Sequence, residues 1–124
     1  MTEYPITERN SKYDLEERTY QFAKDVALFC KKLPFSLVNK EYISQVIRSS
    51  GSIGANYIEA NESLSKKDFV MRAKICRKEA KESIYWLRLI ADTNPENLIP
   101  EGMSFKDEAV ELKKIFSSII TKSS

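Results

Sequence analysis

The sequence predicts an all-α protein, an antiparallel four-helix bundle that runs up, down, up and down. Apolar residues recur at helical spacing in four segments of about 20 residues, and short polar links join the segments. The 124 residues include only 3 glycines and 4 prolines, which are few for the turns of a β-protein of this length. A chain of this size is expected to form one domain, residues 1–124, around one core.

The first predicted helix covers about residues 14–33. Leu15, Phe22 and Phe29 recur every seven residues and form an apolar row along it. Pro34 then ends the helix, because proline disfavours the helical conformation in the residue before it. Residues 1–12 and 122–124 are expected to be frayed ends.

The second predicted helix covers about residues 39–63, with Asn39 as its N-cap. Gly51 and Gly54 interrupt its middle, and each glycine costs about 1 kcal/mol relative to alanine in a helix interior. A sequence that accepts this cost is expected to gain close approach of a neighbouring helix. The alternative is a kink or break near Gly51. Leu64, just after this segment, is expected to extend its buried face.

The third predicted helix covers about residues 65–93 and begins at Ser65, an N-cap followed by the acidic Asp68. If this helix packs antiparallel to the second around a turn at residues 64–65, Ile53 lies by Cys76. The same register places Arg48 beside Glu82, as an interhelical ion pair. Small residues then meet at the close point between the two helices.

The fourth predicted helix covers about residues 104–121. It opens at Ser104 after a loop that contains Pro95, Pro100 and Gly102. Its core row is Phe105, Ala109, Leu112, Phe116 and Ile119.

Histidine is absent, which excludes Ser-His and Cys-His nucleophile pairs and histidine metal sites. Cys30 and Cys76 are too few for a zinc thiolate cluster, and both fall on apolar stripes, so we expect them to be small core residues. Composition therefore argues against an enzyme and predicts no cofactor and no metal. The chain has no run of about 18 apolar residues and no apolar signal region at its start, so a cytoplasmic location is expected.

Charge is unevenly distributed along the chain. Between Lys24 and Arg88 there are 13 basic and 7 acidic residues, whereas each flank carries a net charge of −2. Six of the basic residues form a basic ridge about 30 Å long on the third helix, suited to a nucleic-acid phosphate backbone. The ridge consists of Lys67, Lys74, Arg77, Lys78, Lys81 and Arg88. The alternative is a solvated helix face whose positive charge is partly neutralised by Glu79 and Glu82.

Several apolar residues lie off the main stripes. Tyr85 and Trp86 point about 100° apart on a helix, so at least one of them must leave the core of the chain. Tyr20, Tyr42 and Met71 also lie off the stripes, and surplus apolar surface of this kind often marks a subunit interface. Two interpretations of Asn56 and Glu59 are possible. They form a buried polar network, or they are solvated residues at the edge of the apolar stripe, and the second interpretation is favoured.

Two linked motifs in the second and third helices resemble the bacterial "four helix bundle protein" family, which includes proteins encoded within intervening sequences of 23S ribosomal RNA genes. The resemblance covers all four helices and is most specific in QVIRSSGSIGANYIEA, residues 45–60, and KEAKESIYWLRL, residues 78–89. The motif residues are Arg48, Ser52, Gly54, Asn56, Glu59, Glu82, Tyr85 and Trp86.

The resemblance implies a bundle that assembles into a homopentameric ring, with no catalytic residues. The sequence is also similar to the accessory variability protein of diversity-generating retroelements, a basic pentamer that binds nucleic acid and a reverse transcriptase. The leading hypothesis is therefore a non-enzymatic, oligomeric protein that binds nucleic acid, RNA above all, or serves as an adaptor. The alternative is an oligomeric protein-interaction scaffold that binds no nucleic acid.

Overall fold

The computed structural model describes the backbone of residues 11–123 and the side chains of residues 15–123. Over this range the chain forms four α-helices and no strand, which confirms the all-helical prediction. A single 3-10 turn, Glu96–Leu98, precedes the last helix. The helices are α1 (Ser11–Cys30), α2 (Leu37–Asn61), α3 (Lys66–Asp92) and α4 (Ile99–Ser123).

The helices form a bundle around one shared core. Each helix packs against the next one in the chain, and α1 also contacts α4. The Cys76 thiol lies 3.4 Å from the carbonyl oxygen of Ile53, which confirms the predicted pairing of α2 with α3. The largest fully buried side chains come from all four helices and include Val26, Phe29, Val46, Ile53, Leu87, Ile90, Leu112 and Phe116.

Polar groups inside the bundle are satisfied. The hydroxyl of Thr19, which is fully buried, donates to the carbonyl oxygen of Leu15 at 2.9 Å. The hydroxyls of Ser49 and Ser83 lie 2.8 Å apart across the contact between α2 and α3. Among the described side chains, no buried nitrogen or oxygen lacks a hydrogen-bond partner, as expected where an unpaired group would be costly.

The ends of α1 differ from the prediction. Its C-terminus lies at Cys30, three residues early, because the chain tightens into a turn in which the Leu33 N–H donates to the Cys30 carbonyl. Ser11 and Lys12 belong to the helix, so their assignment to a frayed end was wrong. Residues 1–10 lie outside the described part of the chain.

The N-cap of α2 is Ser36, not Asn39. The Ser36 hydroxyl accepts a hydrogen bond from the Asn39 backbone N–H at 2.9 Å. The Asn39 side chain is instead buried, and its amide donates to Pro34 and to Asn94. This amide pair links the α1–α2 turn to the α3–α4 turn, a contact between segments 55 residues apart that no local pattern could predict.

Helix α2 is continuous through Gly51 and Gly54, so the predicted alternative of a break near Gly51 was wrong. The close approach occurs at Gly54 alone: a Cβ there would lie 3.0 Å from the Thr19 hydroxyl oxygen. Leu64 is fully exposed, contrary to expectation, because α2 ends at Asn61 and the helical projection no longer applies beyond it.

Helix α4 begins at Ile99, five residues before the predicted start at Ser104. Pro100 lies in the first turn, where its missing N–H leaves no intrahelical bond unmade. Gly102 is buried against Phe29 and Ala91, so it is a packing residue of the helix and not a loop residue. The helix continues through Lys122 and Ser123, which were expected to fray; Ser124 is outside the described residues.

Candidate nucleic-acid interface

The basic ridge lies on the solvent side of α3. Ala73, Cys76 and Ala80 bury the opposite side of the helix in the core, which fixes its rotation. Helical periodicity then turns most of the ridge outward. Lys67, Lys74, Lys78, Lys81 and Arg88 are exposed, and Arg77 is half-buried. As Ser65 caps the helix by accepting from the Asp68 N–H, the predicted N-terminus of α3 is confirmed.

The ridge cations form no ion pair within the described residues, although the charge of Lys78 contributes to lowering the pKa of Glu82. Within the described residues, none of its six cations lies within 4.0 Å of an acidic oxygen. The two acidic residues of α3 that were expected to soften it, Glu79 and Glu82, both turn toward α2 and pair with Arg48. Positive charge on the outer face of α3 is therefore left for the solvent or for a partner.

The contact of Arg48 with Glu82 confirms the predicted interhelical ion pair, and Glu79 joins it with a distance of 3.3 Å between Arg48 Nη1 and Glu79 Oε1. Trp86 also donates its indole N–H to Glu82 at 3.1 Å. Burial disfavours the charged form of Glu82, but the hydrogen bonds from Trp86 and Arg48 outweigh it and lower the pKa of this carboxyl. In return, the hydrogen bond to Glu82 raises the pKa of Arg48 above the ordinary arginine value.

A groove between α3 and α4 adds residues that the sequence reasoning missed. This α3–α4 groove has a volume of about 400 Å³, and its lining includes Lys113 and Ser117 of α4. Lys113 belongs to a net-acidic flank of the sequence, and no periodicity shows which side of α4 meets α3. The groove is lined by Lys74, Arg77, Lys78, Lys81, Lys113 and Ser117.

The motif residues Asn56 and Glu59 of α2 have different surroundings. Asn56 is half-buried, donates to the Ser52 carbonyl at 2.9 Å, and accepts from Arg72 at 3.0 Å. Glu59 is exposed, so the two do not form a buried network. Because Asn56 engages Arg72, this arginine is held toward α2 and away from the ridge.

Of the adjacent aromatic residues near the ridge, Trp86 turns toward the core and Tyr85 toward the solvent. The angle of about 100° between neighbouring residues of a helix predicted that at least one of the two would leave the core. Trp86 is half-buried, with its ring centroid 5.9 Å from Tyr42 and 5.1 Å from Tyr85. Tyr85 is 56% exposed, and Met71 is 49% exposed on the same helix. Tyr20 of α1 is exposed as well.

Both cysteines are free and buried, as predicted. Burial raises the pKa of Cys30 to about 11 and that of Cys76 to about 12, so neither is a thiolate nucleophile at neutral pH. In the part of the chain that the structure describes, no three acidic or thiol groups are grouped to hold a metal ion. No helix of this part is both long enough and apolar enough to cross a bilayer.

Fold and site together define a helical bundle with a cationic face on its third helix. The chain belongs to the 23S rRNA-intervening sequence protein family, whose model matches residues 11–118. It is similar to a crystal structure of a protein of unknown function from the S23 ribosomal protein family of Bacteroides thetaiotaomicron VPI-5482. The two chains are 31% identical with a TM-score of 0.73, over 89% of this chain and 97% of that one. No curated protein matches the sequence.

Proposed function

We propose that this protein is a non-enzymatic, oligomeric binder of nucleic acid, of RNA above all, and that it contacts the phosphate backbone through the basic ridge. The observation that carries the proposal is the separation of charge on α3. Its carboxylates Glu79 and Glu82 form ion pairs with Arg48, and none of its outward cations forms an ion pair within the described residues. An adaptor role toward a nucleic-acid enzyme, such as a reverse transcriptase, would use the same bound nucleic acid.

The geometry suits a phosphate chain because the cations extend along a helix instead of converging on a point. Lys67 and Arg88 are separated by about 30 Å at the helical rise of 1.5 Å per residue. Lys113 widens the strip toward α4. Contacts of this kind read no base edges, so binding is expected to show little sequence preference and a strong dependence on salt.

The test is charge reversal on the ridge. The double variant Lys74→Glu, Lys81→Glu should lose about tenfold or more in affinity for a fluorescein-labelled RNA at about 50 mM salt, measured by fluorescence anisotropy. The slope of log affinity against log salt should fall by about 2, because two phosphate contacts are lost. Both residues are exposed, so circular dichroism should show an intact bundle.

The matched control is Lys24→Glu, Lys40→Glu, which changes net charge equally at two exposed lysines of α1 and α2. This control should keep most of the affinity and the salt slope. Equal losses in both double variants, or no binding by the unsubstituted protein at about 50 mM salt, would contradict the proposal.

A second candidate function is an oligomeric protein-interaction scaffold. An exposed stripe on α2 favours it: Ile47 and Ile58 flank Gly51 and Ala55, and a Cβ at Gly51 would meet nothing within 4 Å. Small residues between apolar ones permit close packing of another helix, and the family resemblance implies a homopentamer. A protein partner retained after nuclease treatment would favour the scaffold, whereas its loss with the nucleic acid would favour the first candidate.

A further inference from the structure

The outer face of α3 presents apolar side chains as well as cations. Seven exposed residues recur along it at spacings of three and four, so they form one line on the helix surface. Five of them belong to the six cations of the ridge, Arg77 being the sixth, and the other two are Met71 and Tyr85. The line reads Lys67, Met71, Lys74, Lys78, Lys81, Tyr85 and Arg88.

Met71 and Tyr85 are poorly explained by the bundle itself. Both sit half in solvent although the core of α3 has its own continuous stripe of buried residues. Each is flanked by cations at i−4 and i+3, namely Lys67 and Lys74 for Met71, and Lys81 and Arg88 for Tyr85. A purely phosphate-binding surface requires no exposed ring or thioether between its lysines.

The two ends of the line also differ in shape. Around Met71, a mainly apolar depression of about 610 Å³ opens near Ser123 of α4. Its lining residues on α3 are Lys66, Lys67, Asp68, Val70, Met71 and Lys74, so three lysines outnumber its one carboxylate. It meets the α3–α4 groove at Lys74, which lines both. At the other end, the Tyr85 ring rests edge-on against Trp86, with an interplanar angle of 77°, so one ring contact already restrains it.

An exposed aromatic ring and an exposed thioether, each between two cations, match one class of nucleic acid. In a single strand the flat, apolar faces of the bases are free to stack on aromatic side chains while lysines hold the phosphates. In a duplex those faces are covered by neighbouring base pairs, and only phosphates, sugars and groove edges are offered. A duplex would offer Met71 and Tyr85 no free base face to stack on.

We propose that the ligand of this face is single-stranded nucleic acid, with one base stacked on Tyr85, a second base in the apolar depression at Met71, and the intervening phosphates along Lys74, Lys78 and Lys81. This inference rests on the proposed phosphate-binding function and adds the strandedness of the ligand. An acidic protein partner would be bound through the lysines alone.

The test compares a fluorescein-labelled 20-nucleotide oligouridylate with an RNA duplex of the same number of phosphates, at one salt concentration, by anisotropy. The unsubstituted protein should bind the single strand at least about tenfold more tightly. Tyr85→Leu should weaken single-strand binding by about fivefold or more, which is the lower range for one base stack. Its salt slope should not change, because no phosphate contact is removed.

The control variant is Tyr20→Leu, since Tyr20 is exposed to a similar extent, 60%, but lies on α1 away from the ridge. It should bind both ligands as the unsubstituted protein does. A duplex bound as tightly as the single strand, or an unchanged single-strand affinity in Tyr85→Leu, overturns this inference and leaves phosphate binding intact. Failure to bind either RNA at about 50 mM salt overturns both proposals.

Discussion

At the scale of single residues, the two glycines in the middle of α2 have different roles. A side chain at Gly54 would press against Thr19, which is fully buried and held by hydrogen bonds to the carbonyl oxygens of Leu15 and Glu16. A side chain at Gly51 would enter open space. The helix therefore needs a glycine only at position 54, where α1 approaches closely.

This difference predicts opposite effects of the same substitution. Gly51→Ala should raise the free energy of unfolding by up to about 1 kcal/mol, because alanine favours the helix and meets no neighbour. Gly54→Ala should lower it by about 1 kcal/mol or more, since Thr19 has no free space into which to move. Urea unfolding followed by circular dichroism measures both, and a stabilised Gly54→Ala would contradict the assigned contact.

At the scale of elements, α3 packs against both α2 and α4. Its small buried residues contact α2 closely, and its acidic residues reach Arg48 on the same side. The polar contacts thus fix the rotation of α3 together with the apolar stripe, and that rotation exposes the ridge.

The Arg48–Glu82 pair predicts a dependence of stability on pH. Because the pKa of Glu82 is lowered in the folded protein, its contribution is present above the ordinary glutamate pKa and is lost as the pH falls through the folded value. Glu82→Gln should cost about 1 kcal/mol or less at neutral pH and a smaller amount at about pH 3, where Glu82 is protonated to a greater extent. Urea midpoints at both pH values provide the measurement.

The control for this experiment is Glu41→Gln, which alters an exposed glutamate of α2 that has no ion pair among the described residues. Its cost should stay small at both pH values. A cost for Glu82→Gln that is the same in acid as at neutral pH would show that charge is not the stabilising feature of this contact.

At the scale of the whole molecule, the bundle leaves apolar surface in solvent at several places. The exposed stripe on α2 combines Ile47 and Ile58 with small residues and lies on a different helix from the ridge. Self-association through α2 and nucleic-acid binding through α3 are therefore compatible in one assembly, and a ring would add the ridges of several copies.

The proposed assembly predicts a mass of several chains, five for the pentamer, in size-exclusion chromatography coupled to light scattering. Ile58→Glu should shift the mass toward one chain, because it places a charge in the apolar contact. Leu28→Glu on α1, at a residue of similar exposure, should leave the mass unchanged. A single-chain mass for the unsubstituted protein at all concentrations would contradict the assembly.

The number of helices, the apolar stripe of α3 and its pairing with α2 were determined by the sequence itself, because each is recorded in local periodicity and in a short connection. The ridge was predicted from the same periodicity. Three features depended on tertiary contacts: the pairing of Glu79 with Arg48, the addition of Lys113 to the groove, and the early start of α4. Each of these features depends on which face of one helix packs against its neighbour. The spacing of side chains within one helix does not show how the neighbouring helix is rotated.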